Sequence, residues 1–286
     1  MKCLRERKAA QHVSAIDREE VLGLARPYLD ASATPGSSLA HRLVAESDLV
    51  VLATPVGAIV RDLPWALDAV DAKGVVTDTG SVKKGILEAA GRHPKGARFV
   101  GGHPMAGREV GGFEASSAGL FEQTQWFVVQ SARGAAGERV TASPDPDALA
   151  RILELARVAG AAPTVIDADA HDRAMAYVSH VPQLLASALY GAAARAGLLR
   201  EAGSGFRDVT RIAGGPSPMW HDIFAANGER IAAALGDILE PLARVRDALA
   251  EGGAPGIAAA LSLLEAAHTA RQAMLSAERA AREPAS

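Results

Sequence analysis

The residues best placed to do chemistry are a histidine in a glycine-rich segment and a serine that follows an apolar run. His103 lies in Val100-Gly101-Gly102-His103-Pro104, just past a strand-like run, where glycines let the backbone approach a ligand closely. Its imidazole, with an ordinary pKa of about 6.5, is suited to accept a proton at neutral pH. A turn histidine satisfied by backbone is the competing reading from position alone. Ser81, in Thr77-Asp78-Thr79-Gly80-Ser81-Val82-Lys83-Lys84, follows another such run at the expected start of a helix. It serves there either as a helix-capping serine or as a hydroxyl offered to a ligand. Lys83 and Lys84 read as solvated. The remaining histidines, His12, His41, His93, His171, His221 and His268, have no metal-ligand spacing, and H-E-x-x-H is absent. No catalytic metal is expected.

Such residues need a scaffold to hold them. Residues 13–16, 49–53, 75–77, 99–100, 126–129 and 164–166 are short apolar runs, mostly rich in β-branched side chains and ended by polar or small residues. That is the pattern of buried parallel strands separated by helices, a Rossmann-type doubly wound α/β sheet. Ligands of such sheets sit at the carboxyl ends of the strands. Thr54, Pro55, Thr79, Gly80 and Ser81 stand at those ends and are the expected cofactor contacts there. After Ile166 strand signals largely stop, and 168–197, 231–249 and 256–282 are Ala/Leu-rich with helical periodicity. We expect a dinucleotide-binding domain over 1–166 and an all-α substrate and dimerisation domain over 167–286, with Pro144-Asp145-Pro146 a turn before a helix.

Asp17 closes the first run, in Val13-Ser14-Ala15-Ile16-Asp17-Arg18. An acid there accepts hydrogen bonds from the ribose hydroxyls of NAD and repels the 2′-phosphate of NADP, while the adjacent Arg18 could instead hold that phosphate. Capping of the next helix, with Glu19 and Glu20 in its first turn, explains the same aspartate equally well. The G-x-G-x-x-G turn that cradles a pyrophosphate should stand roughly 20 residues before the acid. Only sixteen residues precede Asp17, and none is glycine. Met1 is therefore expected to fall inside the first helix of the domain, with the first strand and its phosphate loop upstream.

Two segments carry a family resemblance: 77–84, and Val100-Gly101-Gly102-His103-Pro104-Met105-Ala106-Gly107-Arg108-Glu109. With Leu52-Ala53-Thr54-Pro55-Val56, Ser179-His180-Val181-Pro182, Phe206-Arg207-Asp208-Val209-Thr210-Arg211-Ile212-Ala213 and Pro218-Met219-Trp220, in that order, the chain resembles the prephenate/arogenate dehydrogenases. The resemblance implies NAD-dependent oxidation and decarboxylation of a cyclohexadienyl acid. His103 would take the ring hydroxyl's proton and Ser81 would bridge that hydroxyl and the nicotinamide. The substrate carries two carboxylates, and a guanidinium binds carboxylate bidentately, so Arg211 would anchor the ring carboxylate. Asp208 would orient Arg211 across one helical turn. Glu109 would join this ionic network. His180 would be turned toward the cleft by a kink at Pro182. Trp220 would reach the active site, of this or a neighbouring subunit.

Arogenate differs from prephenate only by an amino in place of a keto group; Arg108 weakly favours the keto acid. A non-catalytic remnant is the rival suggested by the missing phosphate loop. A dehydrogenase of other hydroxy acids would carry a lysine base on the long helix, and 171–189 contains none. A net charge of −3 offers no general attraction for nucleic acid or membrane. Cys3 alone allows no intrachain disulfide, which suggests a reducing, cytoplasmic setting. No apolar stretch of roughly 18 residues exists to span a bilayer. The basic start, Met1-Lys2-Cys3-Leu4-Arg5-Glu6-Arg7-Lys8, reads as a solvated helix face without a signal-peptide core. A homodimer joined through the helical half is expected, with 256–274 supplying apolar faces.

Overall fold

The computed structural model describes residues 1–107, 112–131, 143–214 and 217–282. They divide into two compact units, Met1–Ile231 and Ala232–Ser286. Packing thus separates the chain inside a long helix, and the helices just after Ile166 belong with the sheet.

The first unit opens with α1 (Lys2–Glu6), β1 (Ser14–Ile16), α2 (Glu19–Ala25), β2 (Ala31–Ala33) and α3 (Ser38–Ala45). The run continues through β3 (Leu49–Leu52), α4 (Val56–Ala69), β4 (Val75–Asp78), α5 (Lys84–Gly91), β5 (Phe99–Pro104) and β6 (Gln125–Val129). Next come α6 (Pro146–Val158), β7 (Ala162–Ile166) and α7 (Ala168–Met175). A π-helical turn, Ala176–His180, leads into α8 (Val181–Arg195), followed by α9 (Ser204–Thr210) and a 3-10 turn, Arg211–Gly214. The expected single helix over 168–197 is therefore interrupted. Pro182 directly follows the π-helical turn, the kind of local widening that accommodates a residue without an N–H in a running helix.

Strands β3 to β7 form one sheet in the order β3-β4-β5-β6-β7, whereas β1 pairs only with β2 in a separate parallel ribbon. On its side away from β4, β3 has no strand partner among the described residues. One strand departs from the expected parallel pattern. Residues 105–124 contain no helix among those described, and β6 returns antiparallel to β5, pairing His103 with Phe127. β2 was not legible as a strand, because Ala-Ser-Ala has neither length nor branching to mark it.

Alternation builds two cores. Val76, Phe99, Phe127 and Val129 face α4, α5 and α7, whereas Val75, Val100, Trp126 and Val128 face α1 and α6. Ile59, Leu63 and Leu67, spaced four apart on α4, are fully buried on the first face; each contributes about 1.5–3 kcal/mol of apolar burial. Cys3 lies in the second core, and the basic residues around it are anchors. Lys2 donates to the carbonyl of Ser116 (2.9 Å), Arg5 pairs with Asp30, and Arg7 pairs with Glu122. The opening segment is thus a packed helix, not a solvated face.

α10 (Ser217–Glu251) runs from the first unit into the second, and α11 (Gly253–Arg282) completes the second. Between them Gly252 and Gly253 both have positive φ, at 80° and 73°, a backbone that L side chains adopt only with strain. No helix among the described residues is long and apolar enough to cross a membrane.

Candidate active site

At the carboxyl end of β4 the fully buried Asp78 ties three segments together. It accepts the N–H groups of Gly80 (2.8 Å) and Gly102 (3.0 Å) and pairs with the ammonium of Lys83. Lys83 also donates to the carbonyl of Gly102 (2.8 Å) and exposes none of its side chain. This corrects its reading as solvated. Burial pushes the Lys83 pKa down, against the opposing pull of Asp78 and Asp172. Glycine at 102 is a steric necessity: a Cβ there would stand 2.5 Å from the carbonyl oxygen of Asp78.

From α7, Asp172 reaches across to the start of α5. Its carboxylate accepts the N–H groups of Lys83 (2.8 Å) and Lys84 (2.9 Å), an N-cap supplied from another helix. Lys83 is accordingly the N-cap residue, and Ser81, half-buried, stands two positions ahead of the cap instead of forming it. Asp172 also meets His171 Nδ1 at 2.7 Å, and His171 Nε2 meets His103 Nδ1 at 2.9 Å. Phe127 fixes the His171 ring edge to face, with centroids 5.4 Å apart. His103 itself lies within β5, not in a loop beyond it, so sheet pairing orients it. Burial holds its pKa well below 6.5, and positive charge on His171, Lys83 or His180 adds to the effect.

His180 is buried at the end of the π-helical turn, and burial lowers its pKa to about 4, with Asp172 opposing and His171 assisting. Asn227 sits where α10 leaves helical geometry (φ −127°). That break lets its amide donate to the Asp172 carbonyl (2.8 Å) and lie 3.2 Å from His180 Nδ1. Trp220 packs edge to face on His180, with centroids 6.1 Å apart. Among the described residues its buried indole N–H has no hydrogen-bond partner, a donor that an incoming acceptor would satisfy.

The other expected residues are less enclosed. Asp17 is half-buried and accepts the N–H of Arg18 (2.7 Å); Arg18, not Asp17, is the N-cap of α2, and no side chain among the described residues caps that helix. Thr54 and Pro55 are exposed at the start of α4, whose Gly57 N–H donates to Asp222 (2.9 Å). Thr79 continues the ladder to the Leu52 carbonyl (3.1 Å), and Gly80 is buried where a Cβ would crowd Ile86 and Ile59. Asp208 on α9 and Arg211 in the following turn are exposed; that turn packs on α8. Glu109 and Arg108 lie outside the described residues.

Sequence reasoning missed Asp78, Lys83, His171, Asp172 and Asn227. The available signals were slight: opposite charges flanking a glycine turn, and a His-Asp pair beside a helix start. Among the described residues, no cluster of three or more histidine, cysteine or acidic side chains is arranged to hold a metal ion.

Family models cover both halves of this architecture. The nucleotide-binding domain of prephenate dehydrogenase matches residues 2–138, and its dimerization domain matches 167–263. The chain belongs to the prephenate/arogenate dehydrogenase family. It is 31% identical to a prephenate dehydrogenase of Lactococcus lactis over 64% of this chain and 49% of that protein. It is 28% identical to a cyclohexadienyl dehydrogenase of Zymomonas mobilis over 72% of this chain and 69% of that one. The chain therefore spans about half the length of its Lactococcus relative. A crystal structure of Aquifex aeolicus prephenate dehydrogenase, in complex with hydroxyphenyl propionate and NAD+, superposes with a TM-score of 0.76 at 25% identity, covering 96% of this chain and 92% of that one.

The strand ends offer groups suited to the two ends of a nicotinamide dinucleotide: the half-buried carboxylate of Asp17, and the turn from Thr79 to Ser81 that follows β4, the neighbour of the strand carrying His103. Its pyrophosphate finds no glycine-rich backbone cradle among the described residues.

Proposed function

We propose that this dehydrogenase oxidises and decarboxylates prephenate to 4-hydroxyphenylpyruvate and carbon dioxide, with NAD as cofactor. The observation that carries the reading is His103, an imidazole kept neutral by burial and oriented from behind by a buried polar chain at the ligand-binding edge of the sheet. Bound NAD supplies the hydride acceptor. Asp17, Thr54 and Pro55 hold its adenosine side, and Thr79, Gly80 and Ser81 its nicotinamide side. His103 takes the ring hydroxyl's proton, with Ser81 hydrogen-bonded to the same hydroxyl. Arg211 anchors the ring carboxylate and Asp208 orients it. His180, Trp220 and Glu109 complete the substrate side. Loss of carbon dioxide follows from aromatisation of the ring and requires no metal.

Residues 1–166 serve the cofactor, and 167–286 serve the substrate and a homodimer. Exposed Leu239, Leu242 and Leu249 on α10, with Ile257, Leu261 and Leu264 on α11, favour such an assembly. A species of monomer mass in sedimentation at micromolar concentration would exclude it. The activity is tested by following NADH formation at millimolar NAD, with prephenate and then with arogenate. Turnover of arogenate alone transfers the reading to the tyrosine-forming reaction, and turnover of neither overturns it.

A further inference from the structure

Behind His103 stand two fully buried groups whose hydrogen positions follow from their chemistry. Ionised Asp172 has no proton to give and already accepts two backbone N–H groups from the start of α5. The His171 nitrogen that meets it at 2.7 Å, Nδ1, is therefore protonated. In a neutral imidazole the other nitrogen is an acceptor, so in the 2.9 Å contact His103 Nδ1 donates to His171 Nε2. Nε2 of His103 is left as a bare lone pair, on the one member of the three that is not fully buried.

We propose that His171 and Asp172 are positioning residues, which fix His103 in the Nδ1–H tautomer and give the proton it receives a place to go. The inference rests on the reading of His103 as the base. In the step it serves, the substrate O–H bond breaks, an N–H bond forms at His103 Nε2, and the C–H electron pair departs as hydride to the nicotinamide. His103 then passes its Nδ1 proton to His171 Nε2, leaving an imidazolium against Asp172. The buried charges around the pair are Asp78, Lys83 and Asp172, with His180 neutral beside them. Two carboxylates face one ammonium while the imidazoles are neutral, so the arriving proton cancels a buried charge instead of adding one. A serine-protease-like logic, in which a carboxylate sets the tautomer of the base, is here extended by one ring.

Nitrogen-15 NMR of histidine-labelled, substrate-free chain above pH 7 reads the tautomer directly. His103 is expected protonated on Nδ1 and bare on Nε2, reverting to a mixture in His171→Phe, which keeps a ring against Phe127 but offers no acceptor. In the same variant kcat should fall at least about 10-fold with KM little changed. His171→Gln, whose amide oxygen can accept from His103 but cannot take its proton, should restore the tautomer and give a rate between those of His171→Phe and the unaltered chain. Wild-type His103 protonated on Nε2 overturns the inference whatever the activity, as does a His171→Phe variant as fast as His171→Gln. The expected tautomer in a chain that turns over no cyclohexadienyl acid sinks the proposed function and leaves the relay standing. Should His171→Phe fail to fold, the wild-type tautomer still decides.

Discussion

The five-stranded sheet and the two-stranded ribbon treat their charges in opposite ways. Around β4 and β5 the ion pair of Lys83 with Asp78 is fully buried, and the ammonium also donates to the Gly102 carbonyl. Around β1 and β2 the pair of Arg5 with Asp30 is partly exposed, at 26% and 38%, and Asp17 is half-buried. A buried network cannot relax into water, so it fixes geometry at high cost to any member removed. An exposed one adapts, and losing a member costs little. The region proposed to position the base is thus preorganised, while the ribbon to which that proposal assigns the cofactor's adenosine is more exposed.

The largest effect that would break this contrast is on stability. Lys83→Met leaves Asp78 buried without its cation and is expected to lower the unfolding free energy by about 3–5 kcal/mol. Urea denaturation would measure it, and a loss below about 1 kcal/mol would mean that the pair is not the knot its burial implies.

Next in size, His103→Asn should lower kcat about 100-fold or more, the usual worth of a positioned base. Because burial depresses its pKa, His103 stays neutral as pH falls to 6.5, so kcat/KM should be level through neutral pH and decline only below it. That acidic limb should vanish in the variant. Near-normal kcat in His103→Asn would remove His103 from the mechanism.

Arg211→Ala should chiefly raise KM, through loss of a charge-assisted contact worth about 1.5–3 kcal/mol. An equal fall in kcat with unchanged KM would instead place Arg211 at the transition state.

At the ribbon, calorimetric titration of NAD into the 286-residue chain should show weak, millimolar binding, since the described residues hold no glycine-rich backbone cradle for the pyrophosphate. Asp17→Ala should weaken it by no more than about tenfold, one ordinary hydrogen bond of about 0.5–1.5 kcal/mol. Micromolar affinity in the unaltered chain would show that the ribbon and sheet close around the cofactor. The smallest change is Arg5→Ala, expected to cost about 1 kcal/mol or less by the same urea measurement. A loss matching that of Lys83→Met would erase the contrast between sheet and ribbon.

Much of the fold was legible because strand interiors are chemically monotonous. Runs such as Leu-Val-Val-Leu before Thr54 and Val-Val-Thr before Asp78 announce themselves by branching and apolarity. Three-residue β2 does not, and neither does the reversal of β6, which depends on a connection without a helix. His103 and Ser81 were visible because glycines and strand ends surround them. His171 was passed over as one histidine among several, since its neighbours in sequence say nothing of Phe127 or His103.

The sequence by itself determined the alternation of strand and helix, the family motifs and the candidate base. Those depend on local propensity and short spacing, which a linear string preserves. Only the tertiary structure decided that Lys83 is buried, that Asp172 caps a helix 88 residues away, and that His171 joins it to His103. Burial and hydrogen bonding between distant segments are properties of the packed chain. No residue carries them until β4, β5, α5 and α7 meet.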